Sequence, residues 1–540
     1  GDGSASNRRP LSTAAHVDRP LRRELRRTLL LAAPIFVGQF SVMSMGLVDL
    51  IMVGQLGPEA IGALAVAHLY AWAVMIVPLA VLWAFDPIVS QAWGEGRADK
   101  VGRALARGWI LSLLLAVPLS ASWFAAPPIL RLLGQPEVLI PDAAAYLQFL
   151  TLSALPLLAY EVLRVTMQGI GRVGILLVIP VVANGVNVAA NQAFIFGVPE
   201  LGLEGLGAPG SALATSLTRG FMLVSLIALA GLTGGFRAIG WRGWRPPPRA
   251  DLPALLSPRA MGRVLKLGVP IGLQIGLESW SFGLAGLMAG WVGAIALAGH
   301  TAALNLAALS FMLPLSIGLA ATVRVGQAIG RRSMVDARLA ALASLVVAVA
   351  AMTITTLVFA TQISWLSQIF TEDASVVAVL TMLLPLAAAF QIFDGLQTVC
   401  FGILRGTGDT RVPMILNLVG YYVLGLPAGY LFAFEVGLGV EGIWVGIVVG
   451  LAVVAGLALW RVRRRLAGPI DPLDLDRPPD KSADRRRSAH PSTTPAPPTS
   501  PAADSIDDSS GPSSVPAAHD SFDSSVERPP SDRSSSLSSG

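Results

Sequence analysis

The chain has a single cysteine, Cys400, in 540 residues, which rules out an internal disulfide and any cysteine-rich metal site. Histidine is nearly as scarce. Five are present with no HExxH arrangement, so no zinc pattern exists, and His68 and His300 read as helix-packing or cavity residues. Charge is the third shortage: Asp, Glu, Lys and Arg make up 14% of the chain, against about 25% in a soluble domain. With 53% hydrophobic residues and a mean hydropathy of +0.64, the composition is that of a membrane protein. No GxSxG or aspartate-rich metal pair falls in the apolar regions, so an enzyme is not expected.

What the chain does have is length in its apolar runs. From Thr28 to Trp460 about twelve runs of roughly 20–28 residues alternate with short polar breaks, each long enough to cross ~30 Å of hydrocarbon. They span approximately 28–53, 62–88, 105–125, 143–168, 173–197, 209–232, 264–290, 296–323, 338–361, 376–403, 412–434 and 439–461. The first is too long for a signal-peptide core, so it is expected to stay. Basic residues mark one side, from Arg22–Arg27 through Arg97–Arg107, Arg172, Arg237–Lys266, Arg331–Arg338 and Arg405 to Arg461–Arg465. The alternate breaks hold Glu59, Glu137, Asp142, Glu200, Glu204, Glu372, Asp373 and Glu435. The positive-inside rule then predicts a multi-pass protein with both termini cytoplasmic. The formal charge of +5 needs no nucleic-acid partner; topology and membrane-lipid headgroups account for it.

The sequence repeats itself. Residues from Met52 align without a gap to those from Met288, at the offset 270 − 34 = 236 set by Pro34 and Pro270. The same offset pairs Gly57 with Gly293, Pro78 with Pro314, Gln91 with Gln327 and Gly94 with Gly330. An offset of 394 − 161 = 233 pairs Glu161 with Asp394, Gly169 with Gly402, Pro180 with Pro413 and Asn184 with Asn417. Two parallel six-helix repeats follow, with a cavity expected between them. The predicted organisation is a basic N-terminal segment (1–27, its first 20 residues loose), a first lobe (28–232), a linker (233–263) and a second lobe (264–461). A Ser/Pro/Asp-rich tail (466–540) has too little apolar content to order itself.

Four acids lie inside apolar runs: Asp49, Glu161, Glu278 and Asp394. A charge at the centre of a bilayer costs about 3 kcal/mol on insertion scales, so such residues normally face a cavity or a partner. Asp49 has Ala285 as its repeat counterpart and Glu278 has Val42, whereas a brace for the shared scaffold should recur in both halves. Glu161 has Arg164 one turn on, which can neutralise it, and Asp86 and Arg324 read as capping or snorkelling near helix ends. Helical spacing puts Gln274 with Glu278, Gln391 and Gln397 with Asp394, and Asn184, Asn187 and Asn191 on one face. These acids and amides are the candidate cavity lining. A carboxylate among amides can exchange a proton or hold Na⁺ with hard oxygen ligands.

"GLVDLIMVGQLG", "SQAWGEGR", "MQGIGR", "GHTAALNLAALSFMLPLSIGLAATVRVGQAIG" and "GILRGTGDTRVPMILNLVGYYVLGLP", together with the doubled layout, resemble the MATE (multidrug and toxic compound extrusion) transporters, nearest their NorM-type branch. The resemblance runs over about residues 28–461. It implies an all-α, twelve-helix, V-shaped bundle in the inner membrane, with no cofactor and a monomeric transport unit, exporting cationic, amphipathic drugs or toxic metabolites in exchange for H⁺ or Na⁺. It assigns ion coupling to Asp49, Glu278 and Asp394, with Na⁺ a candidate at the last two. One departure stands out: the DinF-type branch carries an Asp where this chain has Asn191. A lipid-linked-oligosaccharide flippase is the alternative of similar layout, but it would need basic groups for pyrophosphate, and the deep candidates are Arg164 and Arg219.

Overall fold

In a nonpolar solvent the backbone must satisfy its own hydrogen bonds, and the apolar runs do so as helices. The computed structural model describes residues 13–241, 252–368 and 373–476. Its long helices are α1 (Thr13–Gly54), α2 (Pro58–Gly94), α3 (Ala98–Phe124), α4 (Ile140–Gly169), α5 (Gly174–Phe196), α6 (Ala208–Leu232), α7 (Pro258–Val292), α8 (Ala294–Gly330), α9 (Met334–Thr361), α10 (Ala374–Gly406), α11 (Arg411–Glu435) and α12 (Gly439–Ala467). Eleven are long and apolar enough to cross a membrane. The exception, α7, is 35 residues long, but Gln274, Glu278 and a Gly- and Ser-rich stretch dilute it. A two-residue antiparallel ladder, β1 (Gly197–Val198) with β2 (Leu203–Glu204), joins α5 to α6.

The repeat is visible in the backbone. Gly57, between α1 and α2, has φ +113°, and its counterpart Gly293, between α7 and α8, has φ +152°, a region that favours residues without a Cβ. The first six helices share one buried core and α7–α12 build two others, the one nearer the basic end also taking in Leu31, Ala32 and Ile35 of α1. Where the halves meet at the basic end, α2 and α8 touch backbone to backbone. A Cβ on Gly94 would stand 2.2 Å from the Gln327 carbonyl oxygen, and one on Gly330 would stand 2.0 Å from that of Gln91. Only glycine allows this approach.

The paired glutamines fasten the seam symmetrically. Gln91 Nε2 donates to the carbonyl of Gly406, the last residue of α10, at 2.8 Å. Gln327 Nε2 donates to that of Gly169, the last residue of α4, at 2.9 Å. Contacts continue to mid-bundle, where Trp72 Nε1–Ser279 Oγ (3.0 Å) and Trp280 Nε1–Ala73 O (3.3 Å) are the outermost seam hydrogen bonds among the described residues.

Several helices run past their expected ends. α1 begins at Thr13, inside the segment expected to be loose; α7 begins at Pro258, inside the linker stretch; and α12 reaches Ala467. Basic side chains at these turns lie beyond the apolar run but inside the helix, so hydropathy alone stops short of them. Arg324 does not snorkel: it pairs with Glu24 of α1 at 2.6 Å across the seam. Asp86 is not a helix cap but fully buried. Residues 468–476 are ordered against α2, α3 and α7, where composition predicts disorder from 466, because contacts distant in sequence supply the burial their own composition lacks. Residues 1–12, 242–251 and 477–540, which hold the rest of the N-terminal segment, linker and tail, lie outside the described residues.

Candidate functional site

In the first six helices the acid comes from α1 and its partners from α5 and α6. Asp49, 3% exposed, accepts Asn191 Nδ2 at 2.6 Å on Oδ1 and Thr215 Oγ1 at 2.9 Å on Oδ2. Asn191 Nδ2 also reaches Asn187 Oδ1 at 3.3 Å. Asn191 Oδ1 and Asn187 Nδ2 are buried with no partner among the described residues. Asn184, on the same face but one turn earlier in α5, is not part of this group. It donates to the Ser41 and Pro180 carbonyls and ties α5 to α1.

The second group combines α7, α10 and α11. Glu278 accepts Gln397 Nε2 at 3.3 Å and Asn417 Nδ2 at 3.0 Å, and Asn417 also donates to the Gln274 carbonyl at 3.1 Å. Gln397 Nε2 further reaches Tyr421 Oη at 3.2 Å. Asp394, one turn before Gln397, is 2% exposed, and its carboxylate receives no hydrogen bond among the described residues. Gln397 Oε1 and Asn417 Oδ1 are likewise orphaned. Gln391 lies a turn before Asp394 on α10, its Oε1 accepting Ser310 Oγ at 2.8 Å while Nε2 has no partner among the described residues. Beside Glu278 is a cavity of about 30 Å³ lined by Trp83, Gln274, Phe311, Thr398 and Arg405 among others, room for a water or a small ion. A larger cleft of about 480 Å³ lies elsewhere, at the basic end between Arg27, Arg324 and Arg331.

Both groups sit next to irregular helix. Asn191 is followed by the π-helical turn Gln192–Phe196, and Asn417 by the π-helical stretch Leu418–Gly425, which carries Tyr421. Widened turns of this kind re-aim side chains and are frequent at functional positions. Each group thus places buried carboxylate and amide oxygens where donors are fewer than lone pairs, which suits a proton or a small hard cation.

Glu161 is brought to neither group. It is buried in a pair with Arg164 at 2.5 Å and accepts Trp83 Nε1 at 2.6 Å. Arg164 continues to Gln168 Oε1 at 2.8 Å, and Gln168 Nε2 to Asp86 Oδ1 at 3.3 Å. Arg405 of α10 stacks 5.1 Å over the Trp83 ring, so this network adjoins the seam. His68 bonds Tyr146 Oη at 2.8 Å and His300 accepts Trp444 Nε1 at 3.1 Å. Thr215, Asn417 and Tyr421 are site residues that sequence reasoning did not select. Asn417 alone had a signal, its repeat pairing with Asn184; a lone hydroxyl in an apolar helix has none.

A doubled helical bundle with buried, partly unsatisfied carboxylates between helices is the architecture of a membrane transporter, not of an enzyme. The MatE family profile matches residues 34–192 and 270–431, one match in each half. The chain belongs to this family. It is 37% identical over 453 residues to the probable multidrug resistance protein NorM of Burkholderia pseudomallei, covering 83% of this chain and 94% of that one. It is 32% identical over 451 residues to the multidrug resistance protein PmpM of Pseudomonas aeruginosa, covering 82% and 92%. Among solved structures, the eukaryotic MATE transporter AtDTX14 superposes with a TM-score of 0.75 at 22% identity, over 83% of this chain and 98% of that one. An outward-facing multidrug resistance MATE transporter superposes with a TM-score of 0.71 at 21% identity, over 85% and 99%.

Proposed function

We propose that this chain is a secondary antiporter of the inner membrane, with both termini cytoplasmic, that exports cationic, amphipathic drugs or toxic metabolites in exchange for H⁺ or Na⁺ as a monomeric unit. The observation that carries this reading is the Glu278 group: a buried carboxylate with Asp394 one turn from its Gln397 partner, two orphaned amide oxygens and an adjoining cavity of about 30 Å³. Two carboxylates on the seam side of one lobe hold a cation when ionised and lose it when protonated, or exchange it for Na⁺. Coupling follows because only one of these ligands is held at a time. Asp49 is the matching group in the other lobe, and the names of the curated relatives support drugs as the cargo. The flippase alternative gains no support, since Arg164 is tied to Glu161 and Arg219 to Ser153 at 2.8 Å.

The test is ethidium or fluoroquinolone movement in proteoliposomes with the Na⁺ and pH gradients imposed separately. One gradient should drive uphill drug movement. Equal movement with neither gradient imposed would exclude antiport.

A further inference from the structure

The segment that follows α12 leaves one lobe and fastens to the other. Its start is fixed on the second lobe: Arg338 of α9 donates to the Leu466 and Ala467 carbonyls at 2.8 and 2.9 Å, capping the end of α12. Gly468 then leaves the helix in an extended conformation, and Pro469 and Pro472 keep the chain from resuming it. Ile470 is buried in the core of the second lobe. Three residues later the surroundings change: Leu473 and Leu475 pack against the core of the first lobe.

Most of the polar contacts cross the same seam, and α7 of the second half adds two more. Leu473 N donates to Gln91 Oε1 at 2.7 Å, the glutamine whose Nε2 already holds the Gly406 carbonyl. Asp474 pairs with Lys100 at 3.3 Å, which also holds Glu95 at 2.9 Å. Asp476 pairs with Arg103 at 3.1 Å and with the buried Arg107 at 2.5 Å. Arg263 of α7 donates to the Asp474 and Leu475 carbonyls at 3.1 and 2.8 Å. Among the described residues the counterpart glutamine, Gln327, has no such strap: its Oε1 accepts Arg324 instead, at 3.1 Å.

We propose that residues 470–476 form a latch that holds the basic ends of the two lobes together and must release whenever the transporter opens toward that side. One side chain, Gln91 of α2, holds both the end of α10 and the strap, so separating the lobes loads both of its hydrogen bonds at once. The pairs of Asp474 with Lys100 and Asp476 with Arg103 are partly exposed and individually weak, and so able to yield during each cycle, while Arg263 and the buried Arg107 hold the strap more firmly. The inference rests on the transporter reading only in requiring the basic end to open, and its test needs no substrate.

Spin labels at Arg237→Cys and Val335→Cys, in the full chain with Cys400→Ser and reconstituted in lipid, report the distance between lobes at the basic end. Asp474→Asn/Asp476→Asn removes the latch charges, including a partner of the buried Arg107, and Leu473→Ser removes the apolar anchor while leaving that pair in place, so the two variants separate loss of the latch from loss of stability. Each should raise the population with separated basic ends by about three- to tenfold over the parent, the size expected for losing a few weak contacts. Distance distributions identical to the parent in both variants would overturn the latch, whatever the chain transports.

Discussion

The two lobes share one scaffold and differ in where they carry charge. In each, an asparagine at the same repeat position, Asn184 or Asn417, donates to a backbone carbonyl of the lobe's first helix, Ser41 or Gln274. In the second lobe that asparagine also binds Glu278, where the first lobe has Val42. The first lobe instead places Asp49 further along α1, against Asn191 and Thr215, where the second lobe has Ala285. The asparagine recurs in both lobes as scaffold, whereas Asp49 and Glu278 each occur in one lobe only. The difference teaches how to divide the residues: what recurs in both halves holds the fold, and what occurs in one half is free to carry chemistry.

The largest effect should come from the second lobe, whose two acids we propose act as one site. Glu278→Gln and Asp394→Asn are each expected to lower drug efflux at least tenfold. The double variant should be no more than about twofold worse than the poorer single one, because residues coupled through one ligand are not additive. Efflux from proteoliposomes under an imposed gradient measures all three. Additive losses would separate Asp394 from Glu278.

A smaller loss is expected in the first lobe. Asp49→Asn keeps the shape of the side chain and removes its charge, so membrane levels should match the parent while gradient-driven efflux falls about fivefold. Asp49 and Glu278 each accept from two donors and each group keeps an orphaned amide oxygen, but only the Glu278 group adds a second carboxylate, Asp394, that receives no hydrogen bond among the described residues; on that contrast we propose that the ion is held preferentially in the second lobe. If Asp49→Asn instead equals Glu278→Gln and adds nothing to it, the two lobes operate a single site and the division between them fails.

The parts of this arrangement that can be read from sequence are those with a period or a rarity behind them. Apolar runs have length, the repeat has two offsets, and an acid in hydrocarbon is conspicuous, so the helices, Asp49, Glu278 and Asp394 were all legible. Thr215 and Tyr421 were not, since neither a threonine nor a tyrosine is unusual in a membrane helix and only the fold brings them to a carboxylate. The strap was hidden for a different reason. "GPIDPLDLD" has the composition of a disordered tail, and its order comes from Gln91, Lys100, Arg103 and Arg107, more than 360 residues earlier in the chain. No local pattern encodes a contact of that kind.

Glu161 gives the sharpest test of the division, because by repeat position it is the counterpart of Asp394 and yet by geometry it is a brace. Its carboxylate is occupied by Arg164 and Trp83, and Arg164 extends the network to Gln168. Glu161→Gln leaves the buried Arg164 without its ionised partner, a change of a kind that costs about 3 kcal/mol. The expected result is a fall of several degrees in the thermal midpoint, measured on purified protein in detergent. The ratio of drug moved to ion moved in folded, reconstituted protein should stay at the parent value. Replacing both members, as Glu161→Gln/Arg164→Met, should recover part of the lost stability by removing the stranded charge. If the single variant keeps its thermal midpoint but loses coupling, Glu161 belongs with Asp394 as an ion site, and the repeat position, not the local pairing, decides what a buried acid does in this fold.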